Sequence, residues 1–253
     1  LAKIPLDRLL AATSRAERTH FWFRGFRRFV RPLLARAAAG RTGLALLDCG
    51  CGTGANLALL GEFGRACGVD LTWLGLEHAR GQGHGRIAQA SVTDLPFLPG
   101  RFDIVTSFDV LYCLEDEHEA RAIAEMRRVL KPGGAAIINV AALELLKGTH
   151  GVVLGGEVRR YTAGLLRRSL ERGGFRPERL TYTNFSIFPI VLPVRLAQRL
   201  TGMKDAGSAE LEISVPPAPV NATLSALLAI EARMVQHVNM PIGSSVLCLA
   251  RRV

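Results

Sequence analysis

The feature that most constrains this chain is the run LALLDCGCGTGAN at residues 44–56. Six mostly apolar residues pass directly into three alternating glycines, Gly50, Gly52 and Gly54, and then into a helical pattern. A short apolar run bounded by glycines reads as a buried strand. Glycine allows the tight turn after it and lets a ligand touch the backbone. A strand, a glycine loop and a helix in that order belong to βαβ architecture and a ligand at the strand ends. Gly50, Gly52 and Ala55 also fit the dinucleotide fingerprint GxGxxG/A, and Asp70 lies 20 residues beyond Gly50, where a ribose-binding acid is expected. The loop alone therefore leaves nicotinamide and adenosine ligands both open. Asp48 favours the second, because a carboxylate beside the loop repels a pyrophosphate and suits a ligand bearing an ammonium and a sulfonium.

The rest of the chain repeats the alternation. Residues 66–70, 86–90, 102–108 and 135–141 read as further strands, and 117–130 as an amphipathic helix ended by Lys131-Pro132-Gly133-Gly134. Beyond 142, a helix is predicted over 161–173, strands over 175–185 and 245–251, and a helix over 221–237. Residues 203–219 read as a polar, Pro-rich connector. The apolar run at 185–200 is interrupted by Arg195 and Arg199 and is too short and too charged to span a bilayer. Before the first strand, residues 14–38 read as one helix crowded with aromatics and arginines.

The formal net charge is +10, but 28 of the 32 basic residues are Arg, and Ala, Gly and Leu are abundant with them. That pattern points to GC-rich coding rather than to a phosphate-binding surface. The five cysteines form no CxxC pair and no metal-ligand spacing with His. Reduced thiols, a cytoplasmic setting and no metal are the expectation.

Four segments, in order, carry a resemblance to a known family. LLDCGCGTGANL, ACGVD, SVTDLPFLPGRFDIVTSFDVLYCLED and EMRRVLKPGGAAIINV resemble the successive motifs of class I S-adenosylmethionine (SAM)-dependent methyltransferases, in particular the type 11-like, small-molecule branch. The resemblance implies a doubly wound, Rossmann-like α/β fold. Its seven-stranded, mostly parallel sheet would carry an N-terminal helix and a helical cap. On this reading residues 1–40 form an aromatic/Arg lid, and 41–253 form the SAM-binding core with cap insertions near 142–162 and 186–240.

Carried over by position, Asp48, Gly50, Gly52, Gly54 and Asn56 surround the methionine part of SAM. Asp70 accepts the ribose hydroxyls, and Leu71 packs on the adenine. Ser91 and Val92 take positions where the family often has an acid followed by an adenine contact, so the usual carboxylate is absent here. Phe108 and Asp109 line the methyl-transfer site, with Tyr112 beside them. The segment HGVVLGGEVRRYT resembles a motif of some bacterial members. It offers His150 as a general base, with Tyr161 as a second catalytic candidate and Arg160 as a substrate contact. HFWFRGFRRFV resembles an N-terminal element that closes over the cofactor, which singles out Trp22, Phe23 and Arg27. The same helix can instead pack its aromatics on the sheet, or lie on an anionic membrane surface.

The expected function is methyl transfer to a small, partly apolar or aromatic acceptor. Three alternatives stand beside it: an RNA or other macromolecule methyltransferase, a nicotinamide-dependent Rossmann reductase, and a non-catalytic SAM-binding protein. Against the first, residues 107–110 (SFDV) lack the Asn/Asp-Pro-Pro-aromatic run of enzymes that methylate base amino groups. Against the second, no catalytic Tyr/Lys arrangement is evident.

Overall fold

A computed structural model describes residues 3–148, 156–200 and 213–253, with side chains described for 10–148, 156–198 and 213–253. Its seven strands form one sheet in the order β3-β2-β1-β4-β5-β7-β6. The strands are β1 (Leu44–Cys49), β2 (Gly64–Asp70), β3 (Ile87–Gln89), β4 (Phe102–Phe108), β5 (Leu130–Ala141), β6 (Phe175–Thr183) and β7 (Ser245–Arg252). The first five run parallel, and β7 is antiparallel to both β5 and β6.

Alternation along each strand sends side chains to opposite faces. Leu46, Ile104, Ile137 and Leu249 join one apolar cluster, while Leu47, Val105, Ile138 and Cys248 join the other. The first face is covered by α2 (Phe21–Ala38), α3 (Leu57–Gly61), α4 (Trp73–Gly81) and α8 (Ala218–Met234). The second is covered by α5 (Asp116–Val129) and α6 (Ala163–Arg172). This is the doubly wound, Rossmann-like architecture expected. Strand order reverses between β1 and β4, and ligands of such sheets bind outside the carboxyl ends of the strands at that switch point.

The N-terminal stretch is two helices rather than one. α1 (Lys3–Ala16) ends before residues 17–20, and α2 restarts with His20 as its N-cap. His20 Nδ1 accepts from the Trp22 backbone N–H at 3.1 Å, a capping role its sequence context does not announce. From Phe29 onward α2 belongs to the main core, with Val30, Leu34 and Ala37 fully buried. The exposed turn at residues 39–43 then leads into β1.

α2 and α8 meet closely because Gly25 faces Leu228, where a β-carbon would overlap the leucine side chain. Gly25→Val is expected to cost about 2 kcal/mol by overpacking. A lower urea midpoint with unchanged slope checks this, and a midpoint equal to wild type would show that the helices yield. A further helix, α7 (Phe188–Leu200), follows β6 within the apolar run noted in the sequence. Among the described residues, no helix is long and apolar enough to cross a membrane.

Candidate active site

β1 carries Asp48 to the switch point and hands over to the glycine loop. Asp48 is 1% exposed and accepts from the Thr106 hydroxyl of β4 at 2.6 Å, a bond that crosses the reversal in strand order. Burial pushes its carboxyl up to about 7, against the pull of the Thr106 hydroxyl and helped by the nearby Asp70 charge. Gly50, Gly52 and Gly54 all take positive φ, at 86°, 50° and 84°. A β-carbon on Gly50 would also overlap Val110, the residue two beyond β4. The loop therefore needs glycine for its backbone and for its contact with the β4 end.

Asp70 ends β2 and is half-buried. Its Oδ2 accepts from the Gly52 N–H at 2.7 Å, and its Oδ1 from the Thr72 N–H at 2.8 Å and the Thr72 hydroxyl at 2.5 Å. A carboxylate has about four acceptor positions. One is left for a ligand hydroxyl, and a second opens only if Thr72 turns its hydroxyl away. The acid anticipated as a ribose clamp is thus also the strut that shapes the loop. Beside it Leu71 is 67% exposed, an uncovered apolar surface at a strand end suited to a flat ring. Ser91 is half-buried and shares a hydrogen bond with the Thr93 hydroxyl at 2.7 Å, while Val92 packs against the second core. Asn56 is half-buried at the start of the five-residue α3, and its side chain makes no capping bond.

β4 delivers Phe108 and Asp109. Phe108 is buried and meets Phe26 of α2 edge-on, with ring centroids 5.0 Å apart. Asp109 holds φ 61°, a left-handed backbone uncommon outside glycine. Asn139 of β5 fixes it twice, its carbonyl accepting the Asp109 N–H and its Nδ2 donating to Asp109 Oδ1 at 2.9 Å. Asp109 is open to solvent, yet the protein around it desolvates the carboxyl and pushes it up to about 6. Tyr112 is half-buried nearby, its hydroxyl pushed well up by burial and by the Asp109 charge.

Two sequence expectations are corrected here. Arg160 is no free substrate ligand: its guanidinium grips both Glu157 oxygens, at 2.7 and 3.0 Å, and donates to the Ala142 carbonyl at 3.2 Å. Tyr161 is no catalytic group: it is 0% exposed within the second core, burial drives its phenol far above the ordinary range, and Glu119 adds to the shift. Neither caps α6, since Thr162 does so through its hydroxyl to the Leu165 N–H. His150 lies outside the described residues.

The other N-terminal candidates divide. Phe23 packs with Ala12, Ala16 and Ile213, and Trp22 is half-buried at the edge of the main core. Arg27 donates to the Glu17 carbonyl at 2.8 Å and so ties α2 to the end of α1. Glu17 itself is a site residue that the sequence reading missed. It is 2% exposed and accepts from Thr53 inside the glycine loop. No group of three or more metal-ligating side chains occurs among the described residues, and the five cysteines are free thiols.

Residues 47–138 match a family model described as a methyltransferase domain. A Mycolicibacterium smegmatis protein whose name reads "Probable S-adenosylmethionine-dependent methyltransferase" is 29% identical over 163 residues, which is 63% of this chain and 61% of that protein. The ubiquinone/menaquinone biosynthesis C-methyltransferase UbiE of Shewanella piezotolerans is 33% identical over 140 residues, 51% of this chain and 53% of the relative. The chain therefore spans about half to three fifths of these relatives' lengths. Among solved structures, a SAM-dependent methyltransferase from Thermotoga maritima is similar in fold, with TM-score 0.60, 18% identity and full coverage of both chains.

Proposed function

We propose that this chain, which carries a class I SAM-dependent methyltransferase domain, transfers a methyl group to a small acceptor with an apolar or aromatic part. The observation that carries this is the meeting, at one switch point, of a glycine loop framed by Asp48 and Asp70 with the β4 end that presents the Asp109 carboxylate, Gly50 lying against Val110.

The residues present fit SAM. The Asp48 carboxylate suits an ammonium or sulfonium, Asp70 retains an acceptor for a ribose hydroxyl, and Leu71 offers an uncovered apolar face to adenine. Gly50, Gly52 and Gly54 would hold the methionine part, with Ser91 and Val92 toward the base. When bound, SAM supplies a methyl carbon activated by a sulfonium for in-line displacement. The chain's own task is then to orient the acceptor, exclude water and take up its proton. Phe108, edge-on to Phe26, immediately precedes Asp109, and Tyr112 lies within reach of the Asp109 charge, so aromatic side chains surround this carboxylate. Asp109 receives the acceptor's proton at Oδ2, because Asn139 Nδ2 already holds Oδ1. The aromatic lining favours a ring-bearing acceptor over an extended RNA backbone. The UbiE relatives are named for ubiquinone/menaquinone biosynthesis, while others of similar identity are named "Probable tRNA methyltransferase", so the aromatic lining carries this choice.

Calorimetric titration with S-adenosylhomocysteine, with NADPH as control, tests the reading. Micromolar binding of the first alone is expected. Binding of NADPH instead would return the loop to the dinucleotide class. Asp70→Ala is expected to weaken S-adenosylhomocysteine roughly 30-fold, the scale of one hydrogen bond to a charged group. Unchanged affinity in that variant would remove Asp70 from the cofactor site.

A further inference from the structure

Thr53 stands between two left-handed glycines, and its side chain makes a buried contact. Its hydroxyl donates to Glu17 Oε2 at 2.5 Å. The other carboxylate oxygen of Glu17 accepts from Gln82 Nε2 at 3.0 Å, and the same Nε2 reaches the Thr53 carbonyl at 3.1 Å. Glu17 follows α1, and Gln82 is the C-cap of α4. Thr53 and Glu17 are 4% and 2% exposed, so this carboxylate is removed from water and held by its partners alone. Such a group loses much of its compensation when one partner goes. Leu10 of α1 also approaches Gly52 from the same side, 3.5 Å from the place of its missing β-carbon. Arg27 closes the arrangement by bonding the Glu17 carbonyl.

We infer that Glu17 is a positioning residue for the cofactor loop: by holding Thr53 and Gln82 it presses α1 onto residues 52–54 and fixes the loop in the shape that receives the adenosyl ligand. This rests on the methyltransferase reading but adds what that reading lacks, a reason for the segment before α2 to be part of the site. The loop's own residues favour many backbone states, since glycine populates both signs of φ. A side-chain anchor at the one non-glycine tip residue removes that freedom before ligand arrives, which raises affinity by preorganisation. Ligand release then requires either the loop or α1 to move, so the anchor acts chiefly on the dissociation rate.

The test compares wild type, Glu17→Ala, Glu17→Gln, Thr53→Val and the Glu17→Ala/Thr53→Val double variant in the full chain. S-adenosylhomocysteine affinity is read by calorimetry and its dissociation rate by surface plasmon resonance. Each of the two truncations is expected to weaken binding about tenfold, mostly as faster dissociation, and the double variant to be no worse than either. Glu17→Gln is expected to recover part of the loss, because its carbonyl still accepts from Thr53, while turning the Gln82 amide to accept from its NH2 gives up the bond to the Thr53 carbonyl. Glu178→Ala, which removes a remote pair with Arg251, controls for general destabilisation and is expected to leave affinity unchanged. Losses that simply add in the double variant, or a Glu17→Ala protein that melts earlier yet binds as wild type does, would overturn the inference while leaving the methyltransferase reading intact. Wild type that fails to bind S-adenosylhomocysteine takes both down.

Discussion

Asp48→Asn is expected to raise the stability of the ligand-free protein at pH 8 by up to about 4 kcal/mol while leaving it nearly unchanged at pH 4. The cause is burial. The Asp48 carboxyl is 1% exposed and its pKa is pushed up to about 7. In the unfolded chain the same group titrates near 4. Between those values the folded state holds a proton that the unfolded state has released. Stability from this group is therefore complete below about pH 4 and is lost as pH rises through 7, by about 1.4 kcal/mol per unit. The asparagine keeps the shape and the acceptor for Thr106 but never ionises. Urea unfolding of both proteins at pH 4, 5, 6, 7 and 8 gives the difference directly, which separates Asp48 from every other titrating group. Parallel curves would show that Asp48 is not the strained carboxylate described. The same linkage runs the other way for a cationic ligand. An ammonium favours the ionised form, so wild-type affinity for S-adenosylhomocysteine should climb from pH 6 to pH 8, and the variant should bind more weakly with no such climb.

Asp109→Asn is expected to lower turnover by about 100- to 1,000-fold with little change in S-adenosylhomocysteine affinity. The backbone at Asp109 is left-handed and bonded to Asn139, so an isosteric amide keeps this segment in place. What it loses is the ability to accept a proton at Oδ2. A carboxyl pushed up to about 6 is still mostly ionised at neutral pH, yet basic enough to serve. Wild-type kcat/KM should accordingly rise with pH through about 6 and then level. That limb should be missing in the variant, whatever acceptor a substrate screen identifies. A variant that retains full turnover, or loses cofactor affinity in proportion, would move Asp109 from proton transfer to scaffolding.

How far the sequence speaks differs from residue to residue. β1 and its loop are legible because an apolar run meeting alternating glycines has few other uses, and the same holds for Asp70 at the end of the next strand. The partners of those residues are not legible. Asp70 spends three acceptor positions on Gly52 and Thr72, which only the folded register of β1 against β2 reveals. Arg160 looks free in sequence, but outside a helix nothing in the spacing tells that Glu157 three residues earlier will fold back onto it. Tyr161 sits in a polar run and is nonetheless core, because the isolated bridge from Ala142 to Tyr161 turns its ring under the sheet. Glu17 was overlooked for a related reason. A single acid among helical charges reads as solvated, and its burial is produced by Thr53 and Gln82, 36 and 65 residues away.

The position of β7 has a consequence for how the protein comes into being. β6 has β7 as its partner over its whole length, and β7 is the element that joins it to β5. Both neighbours precede β7 in sequence, by about 60 residues or more. As the chain leaves the ribosome, β5 is therefore an open edge and β6 has no place in the sheet until residues 245–252 arrive. An unpaired apolar edge is a template for intermolecular pairing, and pairing over long separations is slow. A nascent chain of this protein thus passes an aggregation-prone interval between the synthesis of β6 and that of β7, with β1 to β4 already laid down.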